Sequence, residues 1–154
     1  TTAQTSIDAV KKQKAKFEKL LSDYMTVNQI RFKSKEFLNF SGIALHQLNL
    51  FYSAIDNYKE AIDLDPEYWD AYNNIGKSFI KIGCYSKAIR YLRTAHIGMP
   101  ENVEILNNIG ISQRGMKELD ASIDSFNAAL KIQPDYINAV IKIIKQKKPI
   151  RFQF

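Results

Sequence analysis

The sequence repeats itself every 34 residues, and this period restricts the fold more than any other feature of the chain. The tetrapeptide NNIG occurs at residues 73–76 and again at residues 107–110. Glycines and prolines recur with the same spacing, at Gly42, Gly76 and Gly110 and at Pro66, Pro100 and Pro134. Repeats of about 20–50 residues are typical of solenoids, in which each repeat buries part of its apolar surface against its neighbours.

Each repeat contains two stretches of apolar residues with helical spacing. In the second repeat Ile75 and Phe79 belong to the first stretch, whereas Ile89 and Leu92 belong to the second. A short break separates the two stretches, and a proline, which cannot continue a helix, closes each repeat. The pattern therefore predicts an all-α chain that runs helix, turn, helix, turn.

The recurring glycines lie inside the predicted first helices, where glycine costs about 1 kcal/mol relative to alanine. Close packing is the expected compensation for this cost. The second helices carry small residues at matching places, and we expect these to be the partners of the glycines: Ala54, Ala88 and Ser122. Helices paired in this way would approach each other almost backbone to backbone.

With these columns of glycine, alanine and proline, the repeat resembles a tetratricopeptide repeat. The resemblance covers residues 35–136, as repeats 35–68, 69–102 and 103–136. It implies a right-handed superhelical solenoid of antiparallel helix pairs, with about three full repeats. Two residues depart from the usual pattern, Gln113 and Ser122, and we expect them to loosen the third repeat slightly.

The flanks of the repeats are less regular. Residues 1–34 are expected to form a helix that resembles a degenerate repeat, with Ile7, Val10, Phe17 and Leu21 on its apolar face. Residues 137–148 are expected to form a capping helix, because Ile144 replaces the glycine and no second helix follows. The apolar tail at residues 149–154 either precedes further chain, packs on a superhelix and so allows a homo-oligomer, or frays.

The family resemblance implies a noncatalytic function, namely binding of a protein or peptide on a concave surface lined by the first helices. Helical spacing selects the residues that are neither core nor outward-facing. In the first repeat these are Asn39, Phe40, Ile43 and His46, in the second Asn73, Asn74, Lys77 and Lys81, and in the third Asn107, Asn108, Ile111 and Arg114.

Two of these asparagines, Asn74 and Asn108, occupy equivalent places and would form a short ladder along the groove. An amide side chain has donors and an acceptor, so it can bind the backbone of an extended peptide in a bidentate manner. The ladder resembles one in the family's O-linked N-acetylglucosamine transferase members. Phe40 and Lys142 interrupt it in the neighbouring repeats. The alternative interpretation is that these amides are solvated or bonded to a neighbouring helix.

Charge gives a second indication of ligand class. Lys77, Lys81 and Arg114 would favour a somewhat acidic, extended ligand. Some family members clamp the carboxylate end of a chaperone tail with lysine, asparagine and arginine. This chain retains only Asn74 of that set, and Glu104 would repel such a carboxylate.

The two ends of the chain are basic, since residues 1–35 and 142–154 each carry a net charge of +5 whereas residues 36–141 carry −4. We interpret them as solvated capping faces rather than as sites for nucleic acid, because they contain no aromatic stacking platform. Contact with an anionic membrane surface is the weaker alternative. No apolar run approaches the roughly 20 residues that a bilayer requires.

Catalytic residues, metal ligands and cofactor motifs are not expected. His46 and His96 lack a matching cluster of ligands, and Cys84 is expected to pack rather than to react. With one cysteine the chain cannot form an internal disulfide, which is compatible with the cytoplasm. Two alternative functions stay open: a recruiting or oligomerising domain of a larger glycosyltransferase-like or sulfotransferase-like enzyme, and a self-assembling scaffold at a membrane surface.

Overall fold

The computed structural model describes residues 2–28, 34–136 and residue 141, and within them the chain is all α-helical. This confirms the predicted fold class. The seven helices of the described residues are α1 (Thr2–Asn28), α2 (Lys35–Gln47), α3 (Phe51–Leu64), α4 (Trp69–Ile82), α5 (Tyr85–Gly98), α6 (Val103–Gly115) and α7 (Leu119–Ile132). None of these helices is both long enough and apolar enough to cross a membrane.

The chain divides into two compact units, which are described separately below. The amino-terminal unit, Thr1–Tyr68, contains α1 to α3, and the carboxy-terminal unit, Trp69–Phe154, contains α4 to α7. Each predicted repeat holds one helix pair, namely α2 with α3, α4 with α5 and α6 with α7. The limits of the repeats stay a prediction.

The glycines of the first helices pack closely, as expected, but their partners are large side chains rather than small ones. A methyl group added to Gly42 would lie 2.4 Å from the ring of Tyr58, and one on Gly110 would lie 2.5 Å from the ring of Phe126. Gly76 faces Leu92 in the same way. The prediction that Ala54, Ala88 and Ser122 would be these partners was therefore wrong. Each glycine makes room for a bulky residue one helical turn further along the second helix.

The ends of the helices show why the chain turns where it does. The side chains of Ser34 and Asn102 cap α2 and α6, each accepting a hydrogen bond from a backbone N–H three residues later at 3.1 Å. Asn49, Gly83 and Lys117 all have positive φ and are spaced by 34 residues. A residue with a left-handed backbone conformation thus occurs in the turn between the two helices of each pair, and only one of these three residues is a glycine.

An ion pair joins the beginning and the end of the α2–α3 pair in the amino-terminal unit. Lys35 Nζ lies 2.5 Å from Asp65 Oδ2. The hydrogen bond from Lys35 lowers the pKa of Asp65, and the same bond raises the pKa of Lys35. Between these ends Tyr58 is almost fully buried, and desolvation raises the pKa of its hydroxyl.

The predicted amino-terminal helix is α1, and the residues of its apolar face differ in burial along its length. Ile7 and Val10 are 49% and 43% exposed, whereas Leu21 is buried and Phe17 is half-buried. The helix packs against α2 through its later turns. Except for Ile141, which is helical, the predicted capping helix and tail at residues 137–154 lie outside the described residues.

In the carboxy-terminal unit, further contacts between aromatic rings and glycines join neighbouring helices. Gly98 at the end of α5 lies against the indole of Trp69, and Gly115 at the end of α6 lies against the ring of Tyr85. These two glycines are outside the 34-residue columns, where the equivalent residues are larger. They therefore join helices in a way that is specific to this unit.

The two departures from the family pattern are both satisfied by hydrogen bonds. Gln113 is buried, and its Oε1 accepts a hydrogen bond of 2.6 Å from the Ser125 hydroxyl. The buried Ser122 hydroxyl donates to the carbonyl of Leu119 at 2.8 Å. Because buried polar groups are costly only when they are unpaired, both residues are compatible with a well-packed third helix pair.

Candidate functional site

The candidate site lies where α4 and α6, the first helices of two successive pairs, contact each other in the carboxy-terminal unit. Two asparagine side chains meet there. Asn73 on α4 and Asn108 on α6 are both buried, and Asn108 Nδ2 donates a hydrogen bond of 3.2 Å to Asn73 Oδ1. The inner part of the contact is therefore a buried pair of side-chain amides joined by a hydrogen bond.

A carboxylate and an ammonium group extend this pair toward solvent. Lys77 Nζ lies 2.6 Å from Glu104 Oε1, and Asn73 Nδ2 donates to Glu104 Oε2 at 3.4 Å. We call Asn73, Lys77, Glu104 and Asn108 the Glu104 cluster. Since both oxygens of Glu104 accept hydrogen bonds from α4, this carboxylate connects the two helices.

The local sequence explains why Glu104 lies at this place. Asn102 caps α6, and Glu104 follows in the first turn of the helix. A negative charge is stabilised there by the positive end of the helix dipole. Asn73 and Lys77 are four residues apart on α4, so they present their side chains on the same face.

The outer part of the cluster is accessible to water. The Lys77 side chain is 37% exposed and the Glu104 side chain 48% exposed. An ion pair with this exposure contributes only about 0–1 kcal/mol to stability, because water screens the charges. The cluster thus has a buried inner part, which holds the helices together, and an outer part that another molecule can reach.

The predicted groove residues of the carboxy-terminal unit do not all reach the surface. Asn73, Asn107 and Asn108 are buried, whereas Asn74, Ile111 and Arg114 are half-buried and Lys81 is exposed. Ile111 packs against the core cluster formed by Leu106, Phe126 and Ala129. The side chains that a partner can reach most easily are therefore those of Lys81, Arg114 and Asn74.

The two asparagines of the predicted ladder have different environments. Asn108 donates its amide to Asn73 inside the unit, as the alternative interpretation proposed, whereas Asn74 is half-buried. Their backbone carbonyls are used alike, since each accepts a hydrogen bond from a serine four residues later, Ser78 or Ser112. A role in ligand binding stays a prediction for both.

One predicted charge selector is paired within the chain. Lys77 was expected to attract an acidic ligand together with Lys81 and Arg114, but its ammonium group is bound to Glu104. Sequence reasoning treated Glu104 only as a source of repulsion and missed this contact. A signal was present, since Lys77 and Glu104 carry opposite charges on equivalent faces of successive first helices.

The predicted residues of the first repeat lie on α2 in the amino-terminal unit. Phe40 is 51% exposed, and Asn39 and Ile43 are half-buried. His46 lies in the last turn of the helix with its ring 5.0 Å from that of Phe51, in an edge-to-face arrangement. Residues of α2 thus present an aromatic side chain to solvent.

The part of the chain that the structure describes contains no group of three or more histidine, cysteine, aspartate or glutamate side chains that could hold a metal ion. Cys84 is a half-buried residue just before α5. His96 is half-buried, and its Nδ1 is buried without a hydrogen-bond partner among the described residues.

Comparison with protein families identified two matching segments. A family described as TPR repeat matches residues 42–83, and one described as Tetratricopeptide repeat matches residues 103–136. The second segment has the limits of the third predicted repeat. Comparison with curated proteins found no significant match.

Several solved structures share the fold. The TPR domain of Arabidopsis OM64 is 20% identical, with a TM-score of 0.71 over 73% of this chain and 93% of that domain. The first TPR of Spaghetti (RPAP3), bound to the HSP90 peptide SRMEEVD, is 16% identical, with a TM-score of 0.71 over 75% of this chain and 92% of that one.

A third structure, that of MamA, is 24% identical, with a TM-score of 0.71 over 84% of this chain and 75% of that chain. At these identities the likeness shows the fold alone. The family is shown by the two matching segments, which include residues of all three helix pairs described above. The chain is a tetratricopeptide-repeat protein.

Proposed function

We propose that this chain is a noncatalytic protein-interaction scaffold that holds an extended segment of a partner against the face formed by α4 and α6. The observation that carries the proposal is the composition of this face. It combines a rigid, buried amide pair, Asn73 with Asn108, with reachable polar side chains beside it on the same helices.

A rigid base with reachable donors is suited to peptide binding. Because the amide pair fixes the separation of α4 and α6, the neighbouring side chains are already positioned before a ligand arrives. Preorganisation of this kind reduces the entropy cost of binding. The peptide-bound structure of Spaghetti (RPAP3) supports the proposal by analogy, since it has the same fold.

The reachable residues define the expected interactions of the partner. Asn74 would bind the backbone of the segment through its amide, and Lys81 and Arg114 would attract acidic side chains. Lys77 is not assigned this role, because Glu104 neutralises it. We therefore expect any acidic group of the partner to lie near the carboxy-terminal ends of α4 and α6.

The test compares two charge-matched double variants in a capture experiment. The first, Lys81→Ala/Arg114→Ala, removes the two reachable cations from the face. The control, Arg90→Ala/Arg93→Ala, removes two cations from exposed positions on α5, in the same unit. Both variants are first checked for unchanged thermal unfolding, and captured proteins are quantified by mass spectrometry.

The expected result is reduced capture of a specific partner by the α4/α6 variant and unchanged capture by the α5 control. Because each charge contact contributes modestly, we expect the captured amount to fall several-fold rather than to zero. Retention of every partner by both variants would contradict the proposed face. Equal losses in both variants would indicate nonspecific attraction by net charge and would also contradict it.

A further inference from the structure

The Glu104 carboxylate is held by the groups that would otherwise bind a carboxylate of a ligand. Lys77 Nζ lies 2.6 Å from one oxygen, and the Asn73 amide donates to the other at 3.4 Å. An ammonium group together with an amide N–H is a common arrangement for recognising a carboxylate. Here the recognised carboxylate belongs to the chain itself.

We propose that the Glu104 side chain occupies the carboxylate site formed by Lys77 and Asn73 on the α4/α6 face. It thereby prevents an acidic group of a ligand from binding at that site. The inference rests on the proposed function and deepens it. It makes Glu104 the residue that determines whether the face accepts a ligand carboxylate beside Lys77. In its absence, Lys77 and Asn73 would form a vacant site for a ligand carboxylate.

Two features favour Glu104 over an incoming carboxylate. The side chain is attached to α6 beside Lys77, so its effective concentration at the site exceeds that of any dissolved ligand. It also lies in the first turn of α6, where the helix dipole favours its charge. A ligand carboxylate must displace Glu104 and then tolerate its negative charge close by.

The outer side chains of the Glu104 cluster are accessible to a ligand, so a change in ligand affinity can be measured. Lys77 and Glu104 are both more than one-third exposed, so a peptide can reach them without unfolding the helices. Asn73 and Asn108 are buried and keep the two helices together when Glu104 is replaced. Replacement of Glu104 therefore changes the charge of the face while leaving its inner support in place.

The experiment uses two fluorescently labelled peptides and measures their affinity by anisotropy. The acidic probe is SRMEEVD with a free carboxyl terminus, and the neutral probe is SQMQQVN with an amidated terminus; both carry the dye on the amino terminus. The proteins are the unmodified chain, Glu104→Gln, which removes the charge with little change of shape, and Glu104→Ala, which vacates the site. Asp124→Asn is the matched control, because it removes one negative charge from an exposed residue on α7.

We expect Glu104→Gln and Glu104→Ala to bind the acidic probe about three- to fivefold more tightly than the unmodified chain, because a single charge contact at an exposed site is weak. Their affinity for the neutral probe should change by less than about twofold, as should the affinity of Asp124→Asn for either probe. In the double variant Glu104→Gln/Lys77→Ala the gain should disappear, because Lys77 is the group that Glu104 releases.

Three results would overturn the inference. These are no gain for either Glu104 variant, an equal gain for Asp124→Asn, and a gain that persists without Lys77. The defined peptides also separate this inference from the proposed function. A chain in which Glu104→Gln gains affinity through Lys77, but which captures no partner through Lys81 and Arg114, would contradict the proposed function alone.

Discussion

The interior of the helix pairs and the face between α4 and α6 are built in different ways. In the interior the same contact occurs three times, because Gly42, Gly76 and Gly110 each accommodate a large side chain of the following helix. On the α4/α6 face the contact is made by polar and charged side chains of the Glu104 cluster. The apolar contacts hold each helix pair together, whereas the polar contact joins two successive pairs.

This difference separates the residues that stabilise the fold from those that determine which ligand binds. A repeated interior position is buried and apolar, so its replacement should lower stability wherever it occurs. A reachable polar position contributes little to stability, so its replacement should change binding while leaving folding intact.

The largest loss is expected for Phe126→Ala. The Phe126 side chain is fully buried against Gly110, and its removal would leave a cavity between α6 and α7. We expect the free energy of unfolding to fall by about 3–5 kcal/mol, as measured by urea denaturation. Tyr58→Ala is the matched variant in the amino-terminal unit, because Tyr58 occupies the equivalent position against Gly42. A loss below about 1 kcal/mol for Phe126→Ala would contradict the repeated-interior interpretation.

A smaller loss is expected for Gly110→Ala. The added methyl group would lie 2.5 Å from the Phe126 ring, which is too close for an unshifted contact. Overpacking of this kind costs about 1–3 kcal/mol, although alanine recovers part of this through its higher helix propensity. The same chemical denaturation measures the effect.

Combining Gly110→Ala with Phe126→Ala tests the cause of that loss. Alanine at position 126 removes the ring atoms that would lie 2.5 Å from the added methyl group, so the clash should disappear in the double variant. The two changes should therefore be non-additive, with a double variant more stable than the sum of the single losses predicts. Strict additivity would show that the glycine is required for another reason.

Asn108→Ala is expected to be more destabilising than Asn74→Ala, although the two residues occupy equivalent positions. Asn108 is buried, and its loss would leave the side-chain Oδ1 of Asn73 without its donor. We expect a cost of about 1–2 kcal/mol for Asn108→Ala and a smaller cost for the half-buried Asn74. Thermal unfolding of both variants measures this difference, and equal losses would indicate that the amide pair is not a structural contact.

The smallest effects are expected in the turns inside the helix pairs. Gly83 has φ +85°, with nothing within 4 Å of an added methyl group, so Gly83→Ala tests backbone strain alone and should cost about 1 kcal/mol. Lys117, at the equivalent position with φ +66°, should show the opposite sign, and Lys117→Gly should be neutral or slightly stabilising. Differential scanning calorimetry can compare them, and destabilisation by Lys117→Gly would contradict the shared turn geometry.

Much of the fold could be predicted from the sequence because the same kind of helix pair occurs three times along the chain. The columns of glycine and proline at intervals of 34 residues indicate the helix pairs, and the turns with positive φ follow the same interval. The partners of the glycines were predicted wrongly because the spacing shows that two helices approach but does not show which side chain fills the space.

Less of the candidate site could be predicted, since its contacts join residues that are not equivalent in the repeats. Asn73 and Asn108 are 35 residues apart, one more than the period, so their contact does not follow from the columns of equivalent residues. The contact between Lys77 and Glu104 depends on the reach and rotamers of two long side chains, which sequence spacing does not specify. The contacts of Trp69 with Gly98 and of Tyr85 with Gly115 likewise involve residues outside the columns.

We propose that the face between α4 and α6 is where this chain binds its partner. The most direct measurement is an amide ¹H–¹⁵N NMR titration of the chain with the partner segment identified by capture. We predict that the largest shift changes occur around Asn74, Lys81 and Arg114, while the exposed positions Arg90 and Arg93 on α5 change little. Shift changes concentrated on α5, with the α4/α6 face unaffected, would contradict the account.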